Sequence, residues 1–328
     1  GDVYKRQKLY DFLREMEFNR LLSQAISFYG EPGSKDFNEK NPVKKNKKIN
    51  TKTYKTIFKE KQLDELIQKL NEKSVIAVDT ETSSLNPQEA DLVGISLCYE
   101  ANEAFYIPVG HTEKTELKKD IVLKKLKPLL EDPSIKKVGQ NIKYDFIIFK
   151  NHGIELSSVE DTMLLSYTLD AGNNRHNMDT LSELHLGHKT ISYKDLVGTG
   201  KKQLNFSEVD LKSATEYAAE DADITLRLYE VLSERVSKEK LEKIYEEFEK
   251  PMIKILSKLE SSGVKVDDAY LKKLSKKFEE RLITIEKEIY KISGKKFNIG
   301  SPKQLGEIIY NDLKIAKLKK TKKGSLAT

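Results

Sequence analysis

Residues 75–82 read Val-Ile-Ala-Val-Asp-Thr-Glu-Thr, and the fold turns on how this stretch is read. The run 75–78 is apolar and mostly β-branched, which predicts a buried strand that delivers Asp79 and Glu81 at its C-terminal end. Residues two apart on a strand face the same side, so both carboxylates point at one site. Two acids at the end of an apolar strand must be met by cations or hydrogen-bond donors, because an unpaired buried carboxylate is strongly unfavourable. Alone, Asp-x-Glu is a weak signal, met more often in a surface turn.

Further strands are expected over 92–99 and 104–109, giving a three-stranded antiparallel meander. A helix over 117–131, a short strand at 137–138 and a helix over 142–151 follow. From 161 onward the pattern is helical: 161–169, 178–186, 207–236, 238–261, 267–292 and 302–312. Upstream, Leu63, Leu66, Ile67 and Leu70 mark a helix over 61–72. Residues 8–29 predict one or two short helices, and 30–50 turn to Gly, Pro, Asn and Lys, as a linker does. The opening GDVYKRQ fits nothing that follows and is set aside as a remnant. The expected class is α/β, a mixed central sheet flanked by helices and followed by a helical segment from about 238.

With 328 residues the chain has room for roughly two or three domains. Its 38% hydrophobic content is enough for a core despite 34% charged residues. No apolar run reaches the ~18–20 residues of a membrane span, and the first residues given show no signal-peptide h-region. A single cysteine, Cys98, excludes an intrachain disulfide and a cysteine-based zinc site. It reads as a buried, inert thiol. A cytoplasmic protein with no membrane partner is expected, and a monomer.

Charge is unevenly spread. Residues 40–61 carry nine Lys and one Glu, a net +8, and residues 295–328 carry nine Lys and two acids, a net +7. Because the whole chain is only +6, the remainder sums to −9. An acidic middle between basic segments suits a polyanion binder whose centre holds cations. Only seven of the 58 basic residues are Arg, and Lys meets phosphate as a point charge, which favours backbone contact over base reading.

Two more constellations join the first. Asn141-x-x-x-Asp145 opens the helix after the 137–138 strand; taken singly, Asn141 is an ordinary N-cap and Asp145 a dipole-favoured acid. Tyr217-x-x-x-Asp221 puts a phenol and a carboxylate on one helix face, one turn apart. The neighbouring Glu216, Glu220 and Asp223 suggest a plain solvated face. Together, four acids and a tyrosine can converge on one cleft. Four carboxylates suit two hard divalent cations ~4 Å apart, the arrangement of phosphodiester hydrolysis.

At this point a resemblance is specific. Val78-Asp79-Thr80-Glu81-Thr82, Gln140-Asn141-Ile142-Lys143-Tyr144-Asp145 and Tyr217-Ala218-Ala219-Glu220-Asp221 resemble the three motifs of the DEDD exonucleases, tyrosine subtype, which are ribonuclease H-like. The stretches 175–191, Lys250-Pro251-Met252 with 259–264, and 298–305 are similar to the bacterial DNA polymerase I family (family A): its proofreading domain, then the start of its polymerase thumb. The resemblance covers about 8–328. It implies an N-terminal tail and linker over 1–60 (the end of a 5′ nuclease), a 3′–5′ exonuclease domain over 61–237, and a partial thumb over 238–328. Palm and fingers are not contained in it, so this fragment is not expected to polymerise. Some polymerases of the family lack the exonuclease acids; here all four and the tyrosine stand at motif positions.

The resemblance implies that Asp79, Glu81, Asp145 and Asp221 hold two divalent metals (Mg²⁺ or Mn²⁺, with Zn²⁺ a further candidate). Tyr217 would orient the attacking water, and single-stranded DNA would lose mononucleotides from its 3′ end. Leu85 would wedge between the last bases, while Gln140, Asn141, Tyr144, Met163, Arg175 and Tyr193 line the strand. Tyr193 stands where the family usually has Phe. Duplex DNA is expected at the Lys-rich thumb segment. Two alternatives remain open, a ribonuclease D-like exoribonuclease with the same motifs and a non-catalytic scaffold gripping DNA through its lysines. Three histidines, His176, His185 and His188, do not suggest zinc without a fourth ligand.

Overall fold

The computed structural model describes residues 2–16, 18, 21–22, 48–113, 115–200 and 203–315. The expected helical residues 23–29, most of the expected linker and the lysines at 317–323 lie outside the described residues. Two compact units divide the chain, Gly1–Ser262 and Gly263–Thr328.

The first unit opens with α1 (Asp2–Glu15). The helix therefore starts inside the stretch set aside above, which has no Gly or Pro after residue 1 to break it. After a 3₁₀ turn (Thr51–Thr53) come β1 (Lys55–Thr56), α2 (Glu60–Asn71), β2 (Val75–Thr82), β3 (Leu92–Glu100) and β4 (Glu103–Pro108). Next are α3 (Lys119–Glu131), β5 (Lys136–Gly139), α4 (Lys143–Asn151), β6 (Val159–Asp161) and α5 (Thr162–Asp170). Then follow α6 (Met178–Leu186), α7 (Tyr193–Val197) and the long α8 (Leu211–Lys238).

Among the described residues, six strands lie in the order β1-β4-β3-β2-β5-β6. As expected, β2, β3 and β4 form an antiparallel meander, whereas β1, β5 and β6 join in parallel. β2 is central and apolar on both faces. Ile76 and Val78 pack with Ile95 and Leu97 against Leu63, Leu66 and Leu70 of α2 and Leu126 and Leu130 of α3. On the other face Ala77, Cys98 and Ala104 meet Ala219, Ala222 and Leu226 of α8. Small residues on both partners let α8 approach the sheet closely, and that approach brings Tyr217 and Asp221 to the end of β2. Asp79 and Glu81 share the parity of Ala77 and so face α8. Cys98 is buried and donates to the Glu100 carbonyl; burial raises its thiol pKa, as its inert reading requires.

β1 and β6, two and three residues long, were not expected, since neither run is long enough to show a period. The helix expected from 161 begins at Thr162 because Asp161 ends β6 and caps α5, accepting from the Met163 N–H at 2.8 Å. Likewise α8 begins at Leu211, capped by Asp210, after a 3₁₀ turn over Phe206–Glu208. The helix expected over 238–261 is broken: Lys240 has φ 60°, and α9 (Glu242–Ile244) runs into a π-turn (Tyr245–Glu249) before α10 (Lys250–Ser262). Pro251 has no N–H to continue an α-helical ladder, which accounts for the wider turn just before it.

This 238–262 stretch packs onto β6. The Tyr245 hydroxyl donates to Glu160 Oε2 at 2.9 Å and accepts the Asp161 N–H at 3.0 Å, while Lys250 Nζ reaches Glu160 Oε1 at 2.9 Å. Tyr245→Phe leaves a buried N–H and a buried carboxylate oxygen each short of a partner. It is expected to lower stability by about 1–3 kcal/mol in chemical denaturation. An unchanged midpoint would show that this hydroxyl holds nothing.

The second unit contains α11 (Asp268–Ser293), capped by Asp267 and ended at Gly294 with φ 70°, then α12 (Pro302–Glu307) and a π-turn (Ile308–Asp312). Ser301 caps α12, with Pro302 in its first turn. Among the described residues no helix is long and apolar enough to cross a membrane.

Candidate active site

At the C-terminal end of β2, the carboxylates of Asp79, Glu81 and Asp221 each place an oxygen within 4.8 Å of the others. Opposite Glu81 in the ladder stands Gly94. A Cβ there would sit 2.0 Å from the Tyr106 hydroxyl oxygen, so only glycine lets the Tyr106 ring pass beneath the acids. The Tyr106 hydroxyl lies 2.7 Å from His111 Nε2.

Asp145, on the first turn of α4, is buried beside this trio but outside it. Its Oδ1 accepts from the Thr80 N–H at 2.9 Å and the Thr80 hydroxyl at 2.5 Å, which locks the acid against β2. The tight turn into α4 has two causes. Gly139 has no Cβ to strike Ile142, 2.7 Å away, and Asn141 adopts φ 58°. Asn141 is therefore not the N-cap its sequence position suggests. Asp161 fills that role from β6, accepting the backbone N–H of Asn141 at 3.1 Å and of Ile142 at 3.0 Å.

The electrostatics follow from burial and crowding. Burial pushes Asp79 up to about 7. Glu81 rises well above the usual range through burial and then repulsion from Asp79, Asp221 and Asp145; burial and Asp79 do the same to Asp145 and Asp221. Tyr217 is raised by burial and by Asp221, to which it hydrogen-bonds, so it remains a protonated donor. Glu81 Oε1 is buried with no hydrogen-bond partner. Such an orphaned oxygen among crowded acids, with no sulfur or imidazole in the set, is the environment a hard divalent cation fits. Zinc, which favours nitrogen and sulfur donors, fits this oxygen set less well.

A pH prediction follows. Between about 4 and about 7 the folded chain keeps the Asp79 proton that the unfolded chain has released, so metal-free stability falls as pH rises through that window. A divalent cation would bind the ionised set, so its stabilising effect is expected to grow over the same range. Melting with EDTA and with Mn²⁺ at pH 5 and pH 8 checks this. Equal stabilisation by Mn²⁺ at both pH values would contradict it.

The expected strand-contacting residues fall on α4, α5, α7 and the loops near them. Leu85 is 96% exposed on the loop after β2. That loop is held by the Tyr144 hydroxyl, which donates to the Ser84 carbonyl at 2.5 Å and lies 2.5 Å from Thr82 Oγ1. Gln140 donates to the His176 carbonyl at 2.7 Å and accepts from Thr162 at 2.5 Å, tying down the turn that carries the exposed Arg175. Met163 is half-buried on α5. Tyr193 opens α7 with its ring parallel to Phe206 at 6.4 Å and edge-on to Tyr217 at 5.9 Å. Sequence reading did not find Thr80, Tyr106, Asp161 or Phe206. Asp161-Thr162 carried a cap signal that could have been read; nothing local marks the others.

A six-stranded mixed sheet with an oxygen-donor cluster at the end of its central strand is the ribonuclease H-like class of fold. Comparison with known proteins is more specific. Residues 54–237 match the family model described as 3′–5′ exonuclease, and residues 268–328 match that of DNA polymerase family A. The chain belongs to the 3′–5′ exonuclease family associated with family A DNA polymerases. It is 42% identical to DNA polymerase I of Rhizobium leguminosarum over 286 residues, covering 81% of this chain and 28% of that protein. To DNA polymerase I of Pseudomonas aeruginosa it is 38% identical over 331 residues, covering 99% of this chain and 36% of that protein. It therefore spans about a third of the length of these curated relatives. The POL domain of Pol1 from M. smegmatis, in complex with DNA primer-template and dNTP, shares the fold. There the TM-score is 0.64 at 21% identity, over 83% of this chain and 43% of that one.

Proposed function

We propose that residues 61–237 form a 3′–5′ exonuclease domain that removes mononucleotides from a single-stranded DNA 3′ end, the proofreading part of a DNA polymerase I. The observation that carries this reading is the trio Asp79, Glu81 and Asp221, with an orphaned Glu81 oxygen and Tyr217 hydrogen-bonded at its rim. Asp79, Glu81, Asp221 and, from its Thr80-locked position, Asp145 would hold two divalent cations. When bound, these supply the Lewis acidity that makes water nucleophilic near neutral pH and offsets charge on the phosphate. Mg²⁺ and Mn²⁺ suit the donor set best.

Tyr217 keeps its proton, so its hydroxyl hydrogen-bonds and orients the attacking water rather than acting as its base. The raised carboxylates ionise as positive charge arrives, which confines the charged site to its loaded state. Leu85 stands out from its tethered loop, as a wedge between the last bases requires. Tyr193 offers a ring face for a base, and Asn141, Tyr144, Met163 and Arg175 line the approach, with Gln140 bracing the Arg175 turn. Stacking and backbone contact carry little sequence preference. Lysines of the 295–328 segment would meet duplex backbone.

Matched deoxy and ribo oligonucleotides, each 5′-labelled with a free or blocked 3′ end, test the reading. Cleavage of the free-ended deoxy strand, with the blocked end inert, supports it. Preference for the ribo strand would point to the ribonuclease D-like alternative. Salt-sensitive binding without turnover would leave a DNA-gripping scaffold.

A further inference from the structure

We propose that Glu220 is a positioning residue that fixes Tyr193, and through it Tyr217, in the arrangement the strand requires; this rests on the exonuclease reading above. Glu220 sits beside Asp221 on α8 and is only 1% exposed. One carboxylate oxygen accepts the Ile191 N–H at 2.6 Å, and the other lies 2.9 Å from His188 Nε2. A carboxylate only accepts, so the imidazole donates through Nε2. α6 grips the same segment. The Ser182 hydroxyl donates to the His188 carbonyl at 2.8 Å, and the Thr190 hydroxyl donates to Asp179 at 2.7 Å.

Residues 188–191 are thus pinned from two helices directly before α7, whose first residue is Tyr193. Gly187, with φ 63°, ends α6 and allows the turn. Tyr193 then closes a three-ring contact: parallel to Phe206, edge-on to Tyr217, with Phe206 and Tyr217 6.0 Å apart. A buried carboxylate on the side of α8 that faces α6, one turn before Ile224 in the cluster with Leu181, holds the loop in place. Glu220 touches neither strand nor reacting atoms and acts only through where it holds Tyr193.

The chain contains no tryptophan, so Tyr193→Trp installs a single fluorescent reporter. In Glu220→Ala this reporter is expected to become more accessible to acrylamide, and in Glu220→Gln, whose amide can still accept from Ile191 and pair with the ring, it is expected to stay protected. On the native Tyr193 background, Glu220→Ala is expected to lower kcat/KM on single-stranded DNA roughly 10–100-fold through misplacement. Glu220→Gln is expected to restore most of it. Should Glu220→Ala fail to fold, Thr190→Val and His188→Ala cut single contacts of the same clamp and are expected to shift both readouts the same way. Unchanged quenching and kcat/KM in folded Glu220→Ala would overturn the proposal. So would a Glu220→Gln variant as impaired as Ala, which would assign the effect to bare charge beside Asp221. If wild-type protein cleaves nothing, the exonuclease reading fails, and the fluorescence arm still decides the clamp.

Discussion

Asp79→Ala is expected to reduce metal-dependent cleavage by at least about three orders of magnitude while raising the melting temperature of the metal-free protein. Both effects share one cause. Asp79 repels Glu81, Asp145 and Asp221 and is itself held up to about 7 by burial. Without cations this crowding opposes folding, so deleting one acid relieves it. With cations bound as proposed, the same acid would be a central ligand. Cation stabilisation of a phosphoryl transition state is worth several kcal/mol, and ~1.36 kcal/mol corresponds to tenfold in rate. Single-turnover rates and paired melts in EDTA measure the two sides. A slow but normally metal-stabilised variant would show that Asp79 is not a ligand; a destabilised metal-free variant would show that the cluster is not strained.

Two residues beyond Asp221, Asp223 is expected to behave in the opposite way. Asp223→Ala should cost about 3–5 kcal/mol of stability, as expected when one member of a buried ion pair is deleted. Asp223 is 0% exposed and Arg227 is 2% exposed. Arg227 donates to both Asp223 oxygens, at 2.9 and 3.1 Å, and the Tyr54 hydroxyl and the Asn102 N–H donate to them as well, at 2.8 and 3.2 Å. The deletion removes the Asp223 carboxylate from Arg227 and loosens the segment from Asn50 to Tyr54 that Asn102 also holds. Asp221→Ala, by contrast, relieves the same crowding as Asp79→Ala, so it should not lower metal-free stability and should remove cleavage. Equal denaturation midpoints for the two variants would contradict this division.

That pair also marks how far the sequence could be read. Glu220 and Asp223 look like the solvated face of a charged helix, and both are buried. What satisfies them is remote: Tyr54 lies 169 residues from Asp223, and His188 lies 32 residues from Glu220. Charge spacing along one helix cannot display such partners. The meander was legible because β2, β3 and β4 are long enough to show their pattern, and the motif acids because strand and helix periods fix their faces. Taken singly Asn141 looks like a cap, but the side chain that takes its N–H comes from β6, itself too short to be seen. The compact unit continues past the expected domain boundary at 237/238 to Ser262, where Tyr245 and Lys250 close on Glu160 of the sheet.

The central claim is that the acids at the end of β2 form a cation-dependent hydrolytic site acting from a 3′ end. Its most direct measurement is a single-turnover time course of wild-type protein and Asp79→Ala on a 5′-labelled single-stranded DNA, in Mg²⁺ or Mn²⁺ against EDTA. A ladder shortening from the 3′ end, present with metal, absent in EDTA and absent in Asp79→Ala, is the predicted result. Cleavage that survives EDTA, or that Asp79→Ala retains, would contradict the account.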